Sequence, residues 1–293
     1  MHLLHCTITN HINFKRMNTY TLITNQIIAN IKNAKSWSDM INATSPVNIT
    51  GRPYNGINRF LLGKSKYKSR IWGTFKQITQ YGGRVKKGEK SSIVALWMRY
   101  KPKDATGATE ERWYLKLYHV FNVEQCTFID GNEYLAQLEG KLNKDAIPAT
   151  ADKVVSSYLK REHIQLVTVQ NHSTPYYSPA KDLISITDHL LYKNNNEYLM
   201  TLYHEIVHST GHPKRLHRFD VGSSVFGSHD YSLEELVAEI GANFLSASTG
   251  VSYDFMNSVA YIKSWIPHLE QHPRWIVSAA SKAERAVESV LNC

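Results

Sequence analysis

Residues 198–212 read YLMTLYHEIVHSTGH and contain the motif H-E-x-x-H, which runs from His204 to His208. The apolar residues of this stretch recur at helical spacing, at Leu199, Leu202, Ile206 and Val207. The motif is therefore predicted to lie on an amphipathic helix that ends at Gly211. Residues four apart share one face of a helix, so His204 and His208 can offer two imidazole nitrogens to one metal ion. Glu205 would then point towards a water held by that ion and act as a general base.

A second helix is predicted over residues 232–246, which read SLEELVAEIGANFLS. Ser232 and Glu235 have the spacing of a capping box at the start of this helix. Glu235 and Glu239 are four residues apart, so one carboxylate can bind the metal while the other orients a ligating histidine. We predict Glu235 as the third ligand and Glu239 as its support, and the reverse assignment stays open. Three protein ligands leave a fourth position for water, which is typical of a catalytic zinc.

The predicted cofactor is one Zn²⁺ per chain, and other divalent transition metals are possible. Two alternatives compete with this metal site. The two histidines could share a helix by chance, and the two glutamates could lie on a solvated face. His212 and His217, which follow the motif, could contact a substrate, but they are more simply interpreted as surface or packing histidines.

The composition excludes several classes of protein. With 293 residues, 42% hydrophobic and 20% charged, the chain can hold two domains and is neither disordered nor fibrous. No apolar run approaches the roughly 20 residues of a membrane helix. Residues 1–16 lack the apolar core of a signal peptide and are expected to be an extension outside the fold. The three cysteines, Cys6, Cys126 and Cys293, have no ligand or disulfide spacing, so a cytoplasmic location is expected.

The charge of the chain is unevenly distributed. Residues 1–145 hold 22 Lys and Arg against 10 Asp and Glu, whereas the remainder holds 12 against 15. Within residues 52–103 there are 14 basic residues and a single acidic one, Glu89. This asymmetry predicts that the first half binds a polyanion. A solvated basic surface without a partner is the alternative.

Aromatic residues are interleaved with these basic residues. Cationic groups follow a phosphate backbone and aromatic rings stack on unpaired bases, and no zinc-finger, helix-turn-helix or RNP-like motif is present. Non-specific binding of single-stranded DNA, with weaker binding of duplex DNA, is therefore predicted. The candidate contact residues are Arg52, Tyr54, Asn58, Arg59, Lys66, Lys68, Arg70, Trp72, Lys76, Arg84, Lys86 and Lys87. Each aromatic also fits a core position, and Trp72 and Phe75 fit one best.

The fold class predicted from these patterns is α+β. We expect a basic α+β domain at residues 17–145 and a mainly helical domain with a small sheet at residues 150–293. Helices are expected at residues 19–35 and 72–81, and paired strands at residues 92–100 and 113–121. Residues 138–150 are polar and are predicted to form the linker.

The chain resembles the ArdC-type antirestriction proteins of mobile elements. The likeness rests on residues 50–58, 71–77 and 83–90 in the first half, and on residues 177–179, 204–212, 215–216 and 234–239 in the second. The resemblance implies an N-terminal single-stranded-DNA-binding domain, similar to one fused to some plasmid primases, and a C-terminal zincin-like metallopeptidase domain. It also implies that His204 and His208 ligate zinc, that Glu205 is the general base, and that Glu235 is the third ligand.

The leading hypothesis is an antirestriction protein whose DNA-bound metallopeptidase acts on DNA-bound protein targets, with no membrane partner. One alternative is a protein that only coats DNA and carries a structural zinc. Another alternative is a repair protease that acts on DNA–protein crosslinks and shares the same residues.

Overall fold

The structure, a computed structural model, describes residues 18–34, 38–41, 45–63, 65–101, 111–128, 132–145, 150–220, 229–251 and 263–291. Within these ranges the helices are α1 (Thr19–Asn33), α2 (Ile57–Gly63), α3 (Phe75–Gln80), α4 (Glu133–Asp145), α5 (Ala151–Glu162), α6 (Asn195–Thr210), α7 (His229–Thr249), α8 (Ile266–Gln271) and α9 (Trp275–Leu291). None of the helices in the described part of the chain is long and apolar enough to cross a membrane. The segment 1–16, expected to be an extension, lies outside the described residues.

The strands are β1 (Val47–Asn48), β2 (Ile71–Gly73), β3 (Gly83–Val85), β4 (Ser92–Tyr100), β5 (Arg112–Asn122), β6 (Cys126–Phe128), β7 (Gln165–Val169), β8 (Tyr176–Ser178) and β9 (Leu183–Thr187). The mixture of helices and sheets confirms the predicted α+β class.

A four-stranded sheet with the order β1-β2-β5-β4 forms the centre of the first half. Strand β1 runs parallel to β2, and the other neighbours are antiparallel. The strands β4 and β5 form the long ribbon predicted from the alternation of their residues. Helix α1 buries Ile23, Ile27 and Ile31, which lie four residues apart on one face, and it contacts β5.

The helix predicted at residues 72–81 is shorter than expected. Residues 71–73 form β2, and α3 begins only after Thr74. The Thr74 hydroxyl accepts a hydrogen bond from the Gln77 backbone N–H at 3.2 Å, and the Gln77 side chain accepts one from the Thr74 backbone N–H at 2.9 Å. This capping box fixes the helix start and leaves Trp72 in the sheet, where its side chain is buried.

The linker predicted at residues 138–150 is also partly wrong, because α4 continues to Asp145. Leu135, Leu138 and Leu142 are spaced by three and four residues, so they form an apolar stripe on the helix. The stripe packs into a cluster with Val47 and Ile71 of the sheet. Because most residues between these leucines are polar, the composition of the segment is typical of a linker, although the spacing of its leucines is helical.

The second half holds a three-stranded sheet with the order β7-β9-β8. Strand β7 runs parallel to β9, whereas β8 is antiparallel to β9 and lies at the edge of the sheet. Helix α6 contacts β8 and β9 and packs against α7, which in turn packs against α9. The central helix of the second half therefore lies between a sheet and another helix.

One hydrophobic core joins the two halves of the chain. It contains Ile27 of α1 and Phe60 of α2, and it continues through Leu115 of β5 into Ile206 of α6 and Phe244 of α7. The predicted boundary between residues 145 and 150 remains a proposal from the sequence. Because apolar side chains from both halves are buried in one cluster, the halves stabilise each other.

Arg59, predicted to contact DNA, is buried in this shared core. Its side chain is 3% exposed and lies 3.6 Å from the Glu284 carboxylate. The guanidinium carbon lies 3.9 Å from the centroid of the Phe244 ring. Glu284 also accepts a hydrogen bond from the Gly56 backbone N–H at 3.0 Å. Since a buried cation needs a partner, we infer that Arg59 fastens α2 to α7 and α9.

The change Arg59→Ala is expected to lower the free energy of unfolding by about 3 kcal/mol, because it leaves a largely buried carboxylate without its cation. Urea and thermal unfolding would measure this loss. Arg52→Ala is the matched control, since the Arg52 side chain is exposed in the neighbouring loop and its loss is expected to change stability by less than about 0.5 kcal/mol. Equal stability of the two variants would contradict the role of Arg59.

Candidate metal centre

Helix α6 presents His204 and His208 on one face. The helix begins at Asn194, whose side chain accepts a hydrogen bond from the Glu197 backbone N–H at 2.9 Å. The two imidazoles are one helical turn apart, and their Nε2 atoms lie 3.1 Å from each other. Two nitrogens bound at about 2.0–2.1 Å to one tetrahedral ion would be roughly 3.3 Å apart. The observed separation therefore suits joint coordination of one metal ion.

Helix α7 brings Glu235 to the same point. Its carboxylate oxygens lie 3.4 Å from the His204 Nε2 and 3.5 Å from the His208 Nε2. One ligand atom from each of the three residues falls within 4.8 Å of the others. Two imidazole nitrogens and one carboxylate oxygen form a donor set that zinc sites with an open position use, so these residues fit a divalent transition metal.

The close packing of α6 and α7 depends on Gly241. A Cβ at this position would lie 2.7 Å from a methyl carbon of Val207, closer than side-chain atoms approach. The glycine therefore lets α7 approach the helix that carries the motif, and Glu235 lies about 1.7 turns before it on α7. Gly211 ends α6 as predicted, with a right-handed φ of −78°. A Cβ there would collide with the Phe219 ring, which explains the glycine.

Two further carboxylates orient the imidazoles from their other side. The Nδ1 of His204 lies 3.1 Å from a Glu239 oxygen, and the Nδ1 of His208 lies 3.4 Å from a Glu234 oxygen. Such partners place the proton on Nδ1 and direct the lone pair of Nε2 towards a metal. The contact of Glu239 corresponds to the supporting role expected for it.

Glu234 and Arg218 are site residues that the sequence analysis missed. Arg218 donates two hydrogen bonds to the Glu234 carboxylate, at 2.6 and 2.9 Å, and one to the Thr210 hydroxyl at 2.7 Å. The pair therefore links the loop after α6 to the carboxylate that orients His208. Glu234 directly precedes the predicted ligand Glu235, and this position is the one feature of the sequence that indicates a role at the site. Nothing in the sequence connects Glu234 to Arg218.

The carboxylates shift the protonation of the histidines. Burial lowers the pKa of His204, but the hydrogen bonds with Glu235 and Glu239 outweigh it and raise that pKa well above its ordinary value. Burial alone would raise the pKa of Glu235, but the hydrogen bonds from the two histidines outweigh this effect and hold that pKa below its ordinary value. The site therefore concentrates negative charge around two imidazoles, and a metal ion would compete with protons there.

The remaining residues of the motif region have separate environments. Glu205 is 6% exposed, and its charge adds to the rise in the pKa of His204. His212 is buried and accepts a hydrogen bond from the Lys214 backbone N–H at 3.1 Å. His217 is exposed and contacts Asp220 at 2.7 Å. The structure brings neither His212 nor His217 into the group of His204, His208 and Glu235.

A polar network ties the C-terminal end of α6 to the strand β8. Arg215 donates to both Asp182 oxygens at 2.6 and 3.2 Å, to the Tyr177 hydroxyl at 2.9 Å and to the Ser209 carbonyl at 2.7 Å. Tyr177 donates to Asp182 at 2.7 Å. Burial raises the pKa of Asp182, but the hydrogen bonds from Arg215 and Tyr177 outweigh it, so the pKa lies below its ordinary value.

This network predicts a pH-dependent contribution to stability. A carboxylate with a lowered pKa stabilises the fold above its ordinary value of 3.8, and the contribution is lost as the pH falls through the lowered pKa. Asp182→Asn is expected to be less stable than the wild type at pH 7, and the difference should shrink below pH 3.8. Urea unfolding across this range would test it, with the exposed Asp220→Asn as control. If the difference in stability did not change with pH, the ionised Asp182 carboxylate would not be the source of this contribution.

The predicted DNA-contact residues divide into two groups. Those with exposed side chains are Arg52, Lys66, Lys68, Lys76, Arg84, Lys86 and Lys87. Their contact with DNA stays a prediction. Lys86 also donates to the Glu124 carbonyl at 2.9 Å, which holds this lysine against the turn between β5 and β6.

The structure does not place the other predicted contacts where DNA could reach them. Tyr54 and Trp72 are 7% and 1% exposed and pack in a cluster with Val94. Asn58 exchanges two hydrogen bonds with the Ala95 backbone, at 2.7 and 2.9 Å, and so pins α2 to β4. These roles are structural, as is that of the buried Arg59.

The structure also places Arg70 and Phe75 differently from the environments predicted for them. Arg70 is partly buried and donates to the Leu142 carbonyl at 2.6 Å, so it holds α4 rather than a phosphate. Phe75, expected in the core, is 62% exposed because it lies in the first turn of the short helix α3.

Comparison with known proteins identifies both halves. Residues 17–121 match the N-terminal domain of the anti-restriction factor ArdC, and residues 155–282 match the zincin-like metallopeptidase family. The fold and the site thus define a protein with a zincin-like domain joined to an ArdC-type N-terminal domain.

The chain belongs to the ArdC antirestriction family. The crystal structure of the antirestriction ArdC protein from the R388 plasmid, in its metal-free form, matches with a TM-score of 0.74 and 32% identity, over 94% of this chain and 97% of that one. The Mn(II)-bound structure of the same protein matches with a TM-score of 0.72 and 30% identity, over 94% and 99%.

Relatives known by sequence extend this family. Two proteins of Escherichia coli named DNA primase TraC are 32% and 31% identical over 83% and 85% of this chain, but the chain spans only 23% and 18% of their lengths. The protein y4eC of Sinorhizobium fredii (strain NBRC 101917 / NGR234) is 29% identical over 92% of this chain and 90% of its own length.

Proposed function

We propose that this antirestriction protein binds single-stranded DNA non-specifically through its first half and carries a zinc-dependent peptidase site in its second half. The observation that carries the proposal is that His204, His208 and Glu235 lie together, with the Nε2 atoms of the two histidines 3.1 Å apart. The first half of the same chain is strongly basic. The Mn(II)-bound form of R388 ArdC supports a divalent metal at this site.

The proposed mechanism assigns one task to each residue. His204, His208 and Glu235 hold the metal, while Glu239 and Glu234 fix the orientation of the two imidazoles. A bound divalent metal supplies Lewis acidity, which polarises a carbonyl and makes water more acidic. Glu205, next to His204 in the sequence, accepts a proton from the attacking water and returns it to the leaving amine.

The edge strand β8 is the proposed docking place for a peptide substrate. It lies at the edge of its sheet and contacts α6, the helix that carries the motif. An extended peptide can add to such an edge through main-chain hydrogen bonds. The network of Tyr177, Asp182 and Arg215 fixes β8 relative to α6, which would keep the peptide in register with the metal site.

The basic half would bring the peptidase site to protein targets bound to the same DNA. Tethering two binding sites in one chain raises the effective concentration of the second target. Single-stranded DNA is the proposed partner of the first half, duplex DNA a weaker one, and a DNA-bound protein the proposed substrate.

A protection assay with the full-length chain tests the proposal. Plasmid DNA would be exposed to a restricting host or enzyme in the presence of wild-type protein or of Glu205→Gln, which keeps the metal ligands. The proposal expects protection by the wild type and its loss in the variant. Full protection by Glu205→Gln would instead support DNA coating with a structural metal. A truncated first half is a poorer probe, because its core is shared with α6 and α7.

A further inference from the structure

The ribbon of β4 and β5 exposes one face that the core does not cover. Directly opposed residues point to the same side of an antiparallel pair, and the pairs Leu96 with Lys116, Met98 with Tyr114, and Tyr100 with Arg112 alternate with pairs on the other side. We call the side formed by Leu96, Met98, Tyr100, Arg112, Tyr114, Lys116 and Tyr118 the ribbon face.

Large apolar side chains on the ribbon face are open to solvent. Tyr100 is 56% exposed, Tyr114 is 46% exposed and Leu96 is 40% exposed. Tyr100 and Tyr114 are diagonal neighbours across the two strands, so both side chains lie on one surface. A contiguous exposed patch of this kind marks an interaction site more often than an isolated exposed side chain does.

Cationic and aromatic residues alternate along β5 on this face. The order is Arg112, Tyr114, Lys116 and Tyr118, and neighbours on one side of a strand are about 6.8 Å apart. The Lys116 Nζ lies 5.0 Å from the centroid of the Tyr118 ring. In the part of the chain that the structure describes, neither Arg112 nor Lys116 forms an ion pair with a carboxylate.

The opposite side of the ribbon has its cations already paired with a carboxylate. Arg99 lies 5.7 Å from the centroid of the Trp113 ring and 3.8 Å from Glu111, which also pairs with Lys101 at 3.1 Å. Further along, Leu115 packs into the shared core. The two sides of the ribbon therefore differ in their cations. Trp113 is exposed on the opposite side, but Arg99 there pairs with Glu111, whereas the cations of the ribbon face have no carboxylate partner in the described part of the chain.

The ribbon face continues into residues that the sequence predicted to contact DNA. Tyr118, at one end of the face, and Tyr67 pack against the same buried cluster. Lys66 lies 5.5 Å from the centroid of the Tyr67 ring, and Lys68 is exposed beside it. This extends the alternation of rings and cations beyond the ribbon.

We propose that the ribbon face is the surface on which single-stranded DNA lies, with bases stacked on Tyr100 and Tyr114 and phosphates at Arg112 and Lys116. The inference rests on the proposed function, since it assumes that the protein binds single strands. Unpaired bases expose the faces that aromatic rings stack on, and phosphates complement the cations between the rings. A duplex hides the faces of its bases, so this surface explains a preference for single strands.

Fluorescence anisotropy with a labelled oligo(dT) and the full-length protein tests this surface. Tyr114→Ala is expected to weaken binding about fivefold or more, because each stacked base contributes about 1–3 kcal/mol. Tyr114→Phe keeps the ring and should bind like the wild type. Lys116→Ala should reduce the slope of log Kd against log salt by about 0.7. Trp113→Ala is the matched control, since Trp113 is adjacent and 59% exposed but lies on the opposite side.

The outcomes separate the two proposals. If the wild type binds oligo(dT) and the folded Tyr114→Ala protein binds it equally well, the ribbon face is not the DNA surface although the proposed function stands. Equal losses in Tyr114→Ala and Trp113→Ala would also overturn the inference. If the wild type binds no oligo(dT), the proposed function and this inference both fail. Thermal unfolding of each variant confirms that a loss of binding is not a loss of the fold.

Discussion

His204→Ala and Glu235→Ala are each expected to weaken the binding of Zn²⁺ by more than about 100-fold. Loss of a partner that only orients a ligand typically costs 10–100-fold, and loss of the ligand itself should cost more. Glu239→Gln, which changes the group 3.1 Å from the His204 Nδ1, is therefore expected to weaken binding by 10–100-fold. Titration calorimetry and metal analysis of the purified proteins would measure these differences.

His217→Ala is the control for this series, because His217 is a nearby exposed histidine outside the metal group. Its metal affinity should equal that of the wild type. A larger effect of Glu239→Gln than of Glu235→Ala would reverse the roles of the two glutamates. Metal at a free concentration of 100 times the wild-type Kd should also raise the free energy of unfolding of the wild type by about 2.7 kcal/mol, and that of Glu235→Ala by less than about 0.5 kcal/mol.

Glu205→Gln is expected to reduce any peptide hydrolysis by about 10²–10⁴-fold while metal affinity stays within a few-fold of the wild type. The amide keeps the size of the side chain but cannot take a proton from water, and general acid–base catalysis contributes an acceleration of this order. Cleavage of a DNA-bound protein substrate, followed with and without single-stranded DNA, would measure the effect.

The control for this variant is its metal content, which separates loss of the base from loss of the metal. Glu205 is buried next to His204, so the folded state of the variant must be checked by thermal unfolding. Hydrolysis at the wild-type rate in a folded, metal-loaded Glu205→Gln protein would exclude Glu205 as the base. Absence of hydrolysis in the wild type as well would favour a binding protein with a structural metal.

Local patterns in the sequence were sufficient to predict that two helices carry the metal centre, although α7 begins at His229, before the capping box predicted at Ser232. The four-residue spacing of His204 and His208 follows from helix geometry alone, because 3.6 residues per turn place them on one face. The same rule placed Glu235 and Glu239 together on a second helix. The strands β4 and β5 were predicted from alternation for a similar reason, since both patterns are local.

The residues of the nucleic-acid surface could not be predicted in the same way. Composition indicated that the first half is basic and aromatic, but it does not say which side chains are buried. Asn58 and Arg59 are predicted to contact DNA, yet they contact β4 and α7. Trp72, which also fits a core position, is buried in the sheet. Tyr114, on the ribbon face, is not among the predicted contacts, and alternation alone does not say which side of a strand faces the core.

The sequence by itself determined the elements of this protein, the motif and the charge of each half, because helix spacing, strand alternation and composition act over short distances along the chain. Only the tertiary structure decided which partners meet. Glu234 reaches His208, and Arg218 reaches Glu234, because Gly241 lets α7 lie close against α6. Contacts between residues distant in the chain depend on packing, and a single sequence does not specify packing through any local pattern.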